Sequence, residues 1–388
     1  MMNRIAITGI GMVDTLGVSP QECFDNLISD TYDQPVNFET EVDSLNHLTC
    51  FKTRTPEYNI PDGMRLPMHK ALTDASKNAI HVVQQAIGDR ELGSHVGVVF
   101  SSLAAKPQTE AAPFIDKMRN GKKLSPRNAV QYLNDFTAGL ISQTFDFRGP
   151  SVSMDAACAT GLYSIDYAIH CLRNHASHVI VGGTDTPAVN DDMYLFNQLG
   201  ALGSESKPFD KNRDGFIMGE GAGCLLLELE STAVSRGANI LGYIYDVSNR
   251  TDGSLGSPTA PDLDMSGATY AMQKCSQWAD DIAFVNAHGT STPMGDDLEY
   301  NAIQKVLPKV PVVSFKSKLG HTLAASGINE TIYTLMSLIN GVIPANHNIS
   351  ECDHKYVYKY KTKTEKKFAL KNSLGFGGKS SSMLIGIE

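Results

Sequence analysis

The strongest constraint on the fold is a set of short, largely apolar runs set between helix-like segments. They include "RIAITGIGMV", "HVGVVFSS", "HVIVGGTD", "CLLLELE", "ILGYIYDV", "DIAFVNAHG", "VPVVSFKS", "KFALKNS" and "SMLIGIE". Several lack the polar alternation of a half-exposed strand, so they read as strands buried on both faces. Their alternation with helices specifies an α/β protein. A chain of 388 residues that is 42% hydrophobic can bury such a core, either as two or three average domains or as one large layered body.

The two halves of the chain repeat one plan. After Cys158, the residues Leu162, Ile165, Ile169 and Leu172 recur at helical steps, and after His321 the residues Ile328, Ile332, Leu335 and Ile339 do the same. Each spacing predicts an amphipathic helix. Each helix follows an extended run and opens among alanine, glycine, serine and threonine. A reactive side chain thus precedes a helix start in each half, as an ancient duplication would leave it. The boundary falls in the polar "ESTAVSRGAN", giving units 1–235 and 236–388. No low-complexity linker separates them, so the halves are expected to pack as one body.

Composition removes several function classes. A net charge of −9 argues against a general nucleic-acid binder. No apolar run approaches the roughly 20 residues that span a bilayer, and Thr8, Gly9 and Gly11 interrupt the N-terminal run, which reads as a first strand rather than a signal peptide. The seven cysteines are scattered and contain no CxxC pair, so neither a disulfide framework nor a metal site is indicated. A reduced, cytoplasmic protein is expected.

The chemistry concentrates at strand ends beside small-residue turns. In "SMDAACATGLYSIDYAIHCLR", Cys158 precedes a helix, where the helix N-terminus favours a thiolate and backbone N–H groups can hold an oxyanion. Taken singly, a cysteine there also reads as a small core side chain. His288 ends the run of "VNAHGTSTPMGDDLE" in a turn on a rigid scaffold, where a histidine satisfied by the turn backbone is the plain alternative. Lys316 and His321 flank Gly320 in "SFKSKLGHTLAASGINE". Gly375, Gly377 and Gly378 in "NSLGFGGKSSS" allow a backbone to approach a ligand closely, without the spacing of a phosphate loop. One cysteine and two histidines exceed what a protease dyad needs. Two histidines suit two donors converging on one carbonyl or enolate oxygen.

Taken in order, "ITGIGMVDTLG", "SPRNAVQYLNDFTAGLIS", "GPSVSMDAACATG", "KPFDKNRDGFIMGEGAG", "NAHGTSTPMGDDLE", "KSKLGH" and "NSLGFGGKSSSMLIGIE" resemble the β-ketoacyl-acyl-carrier-protein synthases, condensing enzymes of the thiolase-like superfamily. His321 at the third position resembles the elongating Cys-His-His branch rather than the Cys-His-Asn initiating branch. No cysteine follows Cys352, where a degradative thiolase would carry a second one. The resemblance implies a layered α-β-α-β-α body made of two pseudo-duplicated halves.

It also implies roles. Cys158 would take an acyl group from an acyl carrier protein, with the N–H groups of Cys158 and Phe376 as the oxyanion hole and Phe376 as a gate. His288 and His321 would stabilise the enolate formed as malonyl-carrier protein loses CO2. Lys316 would orient the His321 region, paired with Glu330. Thr290 and Thr292 would bind the pantetheine arm, and Asp296 and Glu299 would be structural acids beside the active-site loop. No cofactor is implied beyond the phosphopantetheine carried by the partner protein, although the resemblance leaves room for a structural monovalent cation. A homodimer is expected, or a heterodimer with a cysteine-less chain-length factor in a polyketide or aryl-polyene type of system.

The sequence departs from the family in places that bear on chain length and pathway. "GKSSS" follows the gate, so that Lys379 stands near the expected site entrance. Leu374 replaces a phenylalanine, "FSSLAAK" lacks the usual glycines of the acyl-pocket segment, and Asp155 in "DAACATG" leans toward polyketide ketosynthases. The lysines of "HKYVYKYKTKTEKKFALK" read as a solvated loop or edge strand, with steering of an acidic carrier protein as the alternative.

Overall fold

The computed structural model describes residues 4–31, 34–53, 56, 72–103, 119–123, 130–131, 133–252, 259 and 262–387. Ten strands form one ladder. Five come from the first half: β1 (Ile5–Asp14), β2 (Val96–Ser101), β3 (Ser151–Val152), β4 (His178–Asp185) and β5 (Gly221–Leu229). Five come from the second: β6 (Gly242–Thr251), β7 (Ile282–Asn286), β8 (Val312–Val313), β9 (Phe368–Gly375) and β10 (Lys379–Gly386).

The repetition expected from two short helical patterns extends to the whole topology. Reading inward from the rim, the first half runs β3-β2-β4-β5-β1 and the second β8-β7-β9-β10-β6. In each half the third, second and fourth strands are mutually parallel, and the fifth strand pairs antiparallel with the fourth and the first. The halves join where Ile5, Ala6 and Ile7 pair with Ile244, Tyr243 and Gly242. Strand order and direction thus coincide position by position.

Helices complete five layers. α1 (Asp74–Ile87) and α2 (Phe136–Thr144) cover the outside of the first half-sheet, packing on β1, β2, β4 and β5, with the outer core built around Val82, Val98, Phe100 and Leu226. α4 (Ser266–Ser276) and α5 (Pro293–Val306) form the outer layer of the second half, over Met272, Val285, Ile303 and Leu384. Between them, α3 (Thr160–Asn174) and α6 (Ser326–Ile339) touch strands of both halves and each other. Leu162, Ile165, Ile328 and Ile332 belong to this central core. The layered α-β-α-β-α order is the one the resemblance implies.

The middle layer corrects one expectation. α3 is amphipathic, burying Leu162, Ile165, Ile169 and Leu172. α6 is not: every residue from Ser326 to Leu338 is buried, and only Ile339, one of the four residues that suggested an apolar stripe, is exposed. A helix sandwiched by sheets on two sides has no solvent face, so its polar side chains must be satisfied internally. Thr331, Thr334 and Ser337 do this by bonding back to the carbonyls of Gly327, Glu330 and Tyr333. One strand is also shorter than its apolar run: "VPVVSFKS" yields only Val312–Val313 before the chain turns into a helix over Lys316–Leu319.

Among the described residues no helix is long and apolar enough to cross a membrane, and no cluster of His, Cys, Asp and Glu could hold a metal ion. Residues 125–129 and 132 of "SPRNAVQYLNDFTAGLIS" and residues 104–106 of "FSSLAAK" lie outside the described residues.

Candidate active site

Cys158 stands two residues before α3 in a tight turn. Ala157 takes a left-handed φ of 48°, a conformation that costs a non-glycine residue energy and persists only where its surroundings impose it. The surroundings do so: Asp155 Oδ1 accepts from Ala157 N at 3.1 Å, and Thr160 Oγ1 accepts from Ala156 N and donates to Ala157 O. Asp155 and Thr160 thereby aim Cys158. The chain at Gly375 lies against this turn, since a Cβ there would sit 3.1 Å from Cys158 N.

His288 follows β7, and its backbone is fixed by an acid on α5. Glu299 accepts from His288 N and Gly289 N, both at 2.8 Å. Asp296 does the same for the next turn, accepting from Ser291 N at 3.1 Å and Phe209 N at 2.8 Å. Both acids are buried, and burial raises both pKa values, that of Asp296 to about 7. Both carboxyls hold backbone N–H groups of the loop that carries His288.

His321 is anchored across the two halves. Its N–H donates to Ile217 O at 2.8 Å, and its carbonyl accepts from Gly219 N at 3.0 Å. Asp185, at the end of β4, accepts from Ala324 N at 2.7 Å. The imidazole meets the Phe216 ring edge-on at 5.3 Å and the His288 ring at 5.4 Å with an 81° interplanar angle. Among the described residues, neither ring nitrogen of His321 and not the Nδ1 of His288 makes a hydrogen bond, although all three are buried. Orphaned buried polar atoms are costly, and here they flank one cavity.

Burial, helped by nearby charge, keeps both rings neutral. Burial is the largest influence on each, with the Lys316 ammonium next; together they hold His288 well below the usual histidine range and His321 near 3. Lys316 does not touch the rings. Its Nζ donates to His288 O at 2.8 Å and to Glu330 Oε1 at 2.5 Å. Ser326 Oγ also donates to that oxygen, at 2.6 Å. The expected Lys316–Glu330 pair is therefore present, and it grips the backbone of His288 as well as the start of α6.

The other Glu330 oxygen reveals a residue the sequence reading misplaced. Lys371 lies 2.6 Å from Glu330 Oε2 and donates to Asn372 O, fully buried. It closes the lysine-rich segment read as solvated. The rest of that segment behaves so, with Tyr360 81% exposed and Lys366 paired to exposed Asp281. Lys371 is different because β9 is a central strand, where both faces are covered and a cation survives only on a partner. Its signal was its place in "KFALKNS" between apolar strand residues. Asp185 and Phe216 carried no signal of comparable strength.

A cavity of about 350 Å³ collects most of these groups. Cys158, His288 and His321 line it together with Thr290, Thr292, Asp296, Glu299, Leu374, Gly375 and Phe376. Thr290 and Thr292 share a hydroxyl contact of 3.2 Å. Gly377 and Gly378 form the hairpin tip next to Phe376 with left-handed φ of 74° and 69°. Lys379 is not among the lining residues; it pairs with Gly375 and Thr251 in the ladder. The thiol is not pre-ionised: burial pushes Cys158 up to about 12, with Lys316 pulling the other way. The helix-start effect expected from the sequence is outweighed by loss of water around the sulfur.

The β-ketoacyl synthase N-terminal domain family matches residues 2–233, and the β-ketoacyl synthase C-terminal domain family matches residues 241–350. The chain is 30% identical to a 3-oxoacyl-[acyl-carrier-protein] synthase 2 of Staphylococcus aureus, with 98% of each chain covered. It is 29% identical to the protein of that name from Vibrio harveyi, again over 98% of each. Among solved structures, a β-ketoacyl synthase from Burkholderia phymatum superposes with a TM-score of 0.87 at 26% identity over the whole of both chains. The ishigamide ketosynthase/chain length factor gives 0.87 at 25% identity, covering 100% of this chain and 99% of that one. With Cys158 and two neutral imidazoles around one cavity, and both family matches spanning most of its length, this chain belongs to the β-ketoacyl synthase family.

Proposed function

We propose that the protein is an elongating 3-oxoacyl-[acyl-carrier-protein] synthase. The observation that carries this reading is the convergence of Cys158, His288 and His321 on one cavity, with the two imidazoles 5.4 Å apart. Cys158 Sγ attacks the thioester carbonyl of an acyl group delivered on the phosphopantetheine arm of an acyl carrier protein. The C–S bond to the arm breaks, and the arm's thiol leaves with the Cys158 proton. Malonyl-carrier protein then binds with its thioester oxygen between His288 and His321. As CO2 departs, a ring N–H from each histidine supports the enolate; neutral rings donate without delivering a full proton to its carbon. The enolate carbon attacks the Cys158 thioester, the new C–C bond forms, and the cysteine sulfur leaves and takes up a proton.

The remaining residues act through these three. Backbone N–H groups of Cys158 and Phe376 hold the oxyanion, and Gly375, Gly377 and Gly378 let that hairpin come close. Phe376, 37% exposed at the cavity, gates the acyl pocket. Thr290 and Thr292 bind the pantetheine arm. Lys316 and Glu330 position His288 and α6. Asp296 and Glu299 support the loop. No redox cofactor enters this chemistry. The division at residues 235/236 fits the repeated strand order on either side of it. The working form is a homodimer in the cytoplasm, where free cysteines such as the seven here are maintained.

Mass spectrometry tests this reading. Incubation with a mixed set of acyl-carrier proteins is expected to leave an acyl group on Cys158, and malonyl-carrier protein to convert it to a 3-oxoacyl product with loss of CO2. Release of free fatty acid without need of malonyl-carrier protein would instead indicate a hydrolase. The likeness to the ishigamide ketosynthase/chain length factor favours a second reading with the same chemistry, in which this chain is the active subunit of a heterodimer. Native mass of the complex purified after co-expression with neighbouring subunits separates the two.

A further inference from the structure

Lys371 is a fully buried ammonium beside the site that the proposed reaction does not use. It sits in the middle of β9, 0% exposed, with its Nζ 2.6 Å from Glu330 Oε2 and donating to the Asn372 carbonyl. Glu330 is thus clamped by two ammonium groups, Lys316 on one oxygen and Lys371 on the other. Its carboxylate stays ionised near 2 although burial, the largest influence, pushes the other way.

The surroundings of Lys371 Nζ are those a dehydrated monovalent cation would choose. A hard cation takes oxygen donors, carboxylate and carbonyl, in a pocket closed to water. Glu330 Oε2 and Asn372 O are two such donors. Asn286, the ladder neighbour of Lys371 across β7 and β9, has a buried Oδ1 with no hydrogen-bond partner among the described residues. A free cation at Glu330 does not fit in this chain, since the lysine nitrogen already lies on the carboxylate.

We propose that Lys371 is a tethered replacement for a structural monovalent cation, locking the Glu330–Lys316 clamp that positions His288 and His321 and making this protein independent of K+ and Na+. One charge is supplied covalently, so no ion has to be bound from solution. The consequence for the site runs through two steps: Lys371 fixes Glu330, and Glu330 fixes Lys316, whose other hydrogen bond holds the His288 carbonyl. Lys371 also adds to the positive field that disfavours protonation of both rings. It is a positioning residue and touches no substrate. The catalytic part of the inference rests on the condensing-enzyme reading; the ion-binding part does not.

The experiment compares wild type with Lys371→Ser and Lys371→Met in choline, Na+, K+ and NH4+ chlorides at equal ionic strength. Melting temperature is read first and condensation rate second. Wild type is expected to give the same melting temperature and rate in every salt. Lys371→Ser opens a space lined by oxygens; it is expected to lose about tenfold or more in kcat in choline and to recover both rate and melting temperature in a saturable manner with K+ or NH4+. Lys371→Met, which offers a cation no room, is expected to stay impaired in every salt. A wild-type melting temperature that rises with K+ or Na+ over choline overturns the proposal, as does a folded Lys371→Ser protein that ignores all three cations. Where neither variant folds, the wild-type comparison decides alone. If the condensation reading fails, no rate is seen in any protein while the melting temperatures still report on the ion.

Discussion

Gly161 and Gly327 meet backbone to backbone at the centre of the molecule: a Cβ on Gly161 would lie 2.8 Å from Gly327 Cα, and one on Gly327 would lie 3.0 Å from Gly161 Cα. They occupy the first turns of α3 and α6, the two inner helices, one following Cys158 and the other His321. Direct contact between the helix starts is what brings Cys158 from one half to the imidazoles of the other. Gly161→Ala must push the helices apart, because the atoms it strikes are backbone. Overpacking of this type costs about 1–3 kcal/mol, read as a lower melting temperature. The expected loss of acyl transfer at temperatures where the variant remains folded exceeds what stability alone explains, since a misplacement of about 1 Å can cost on the order of 100-fold in rate.

The histidines predict a pH dependence of stability with a definite sign. His321 has its folded pKa depressed to about 3 from 6.5, so below pH 6.5 the unfolded chain binds a proton that the folded chain refuses. Its contribution is complete above pH 6.5 and is lost as pH falls toward 3, with a limiting slope of about 1.4 kcal/mol per pH unit. His288 is depressed in the same direction. Asp296, raised to about 7, works oppositely and loses its contribution as pH rises. The comparison that isolates the imidazole is urea unfolding of wild type and His321→Asn between pH 5 and 6.5, above the window of Glu330. The variant is expected to lose less stability across that interval. Equal slopes would mean that the ring already carries a proton in the folded protein.

Cys158 alkylation distinguishes burial from helix-start activation. A thiol held at about 12 is almost wholly protonated at neutral pH, and the thiolate is the reactive form. The rate of iodoacetamide inactivation of the free enzyme is therefore expected to climb with pH past 9 without levelling. A plateau below 9 would show that α3 and Lys316 outweigh the desolvation of the sulfur.

What the sequence made legible follows from local chemistry. Cys158, His288, Lys316 and His321 stood out because each neighbours a small-residue turn at a strand end, and the folded chain gathers them there. The Glu330 pairing entered through family resemblance. Lys371 was hidden by company: its neighbours in sequence are a run of surface lysines, and only the central position of β9 in the sheet turns it inward. The full burial of α6 was equally invisible, because a period of three and four residues marks one apolar face and says nothing about what covers the other. The burial of α6 is long-range packing that no local pattern encodes; for Lys371 the one local sign is its place among the apolar residues of "KFALKNS".

The glycine hairpin offers a paired test of the proposed oxyanion hole. Gly375 and Gly377 are two residues apart, but they require glycine for different reasons. A Cβ on Gly375 would lie 2.8 Å from Ala156 O and 3.1 Å from Cys158 N, so the constraint is close approach to the Cys158 turn. Gly377 has open space around its Cβ position, and only its φ of 74° disfavours a side chain. Gly377→Ala is thus expected to cost about 1 kcal/mol through backbone strain, seen in the melting temperature, and to leave condensation near normal. Gly375→Ala must lift the hairpin off Cys158 and carry the Phe376 N–H with it. Loss of one oxyanion donor typically costs about 100- to 1000-fold in kcat, so acylation of Cys158, followed by mass spectrometry, should fall on that scale while substrate binding holds. If the two variants lost activity equally, the requirement would lie in hairpin conformation, and the Phe376 N–H would have no claim on the oxyanion.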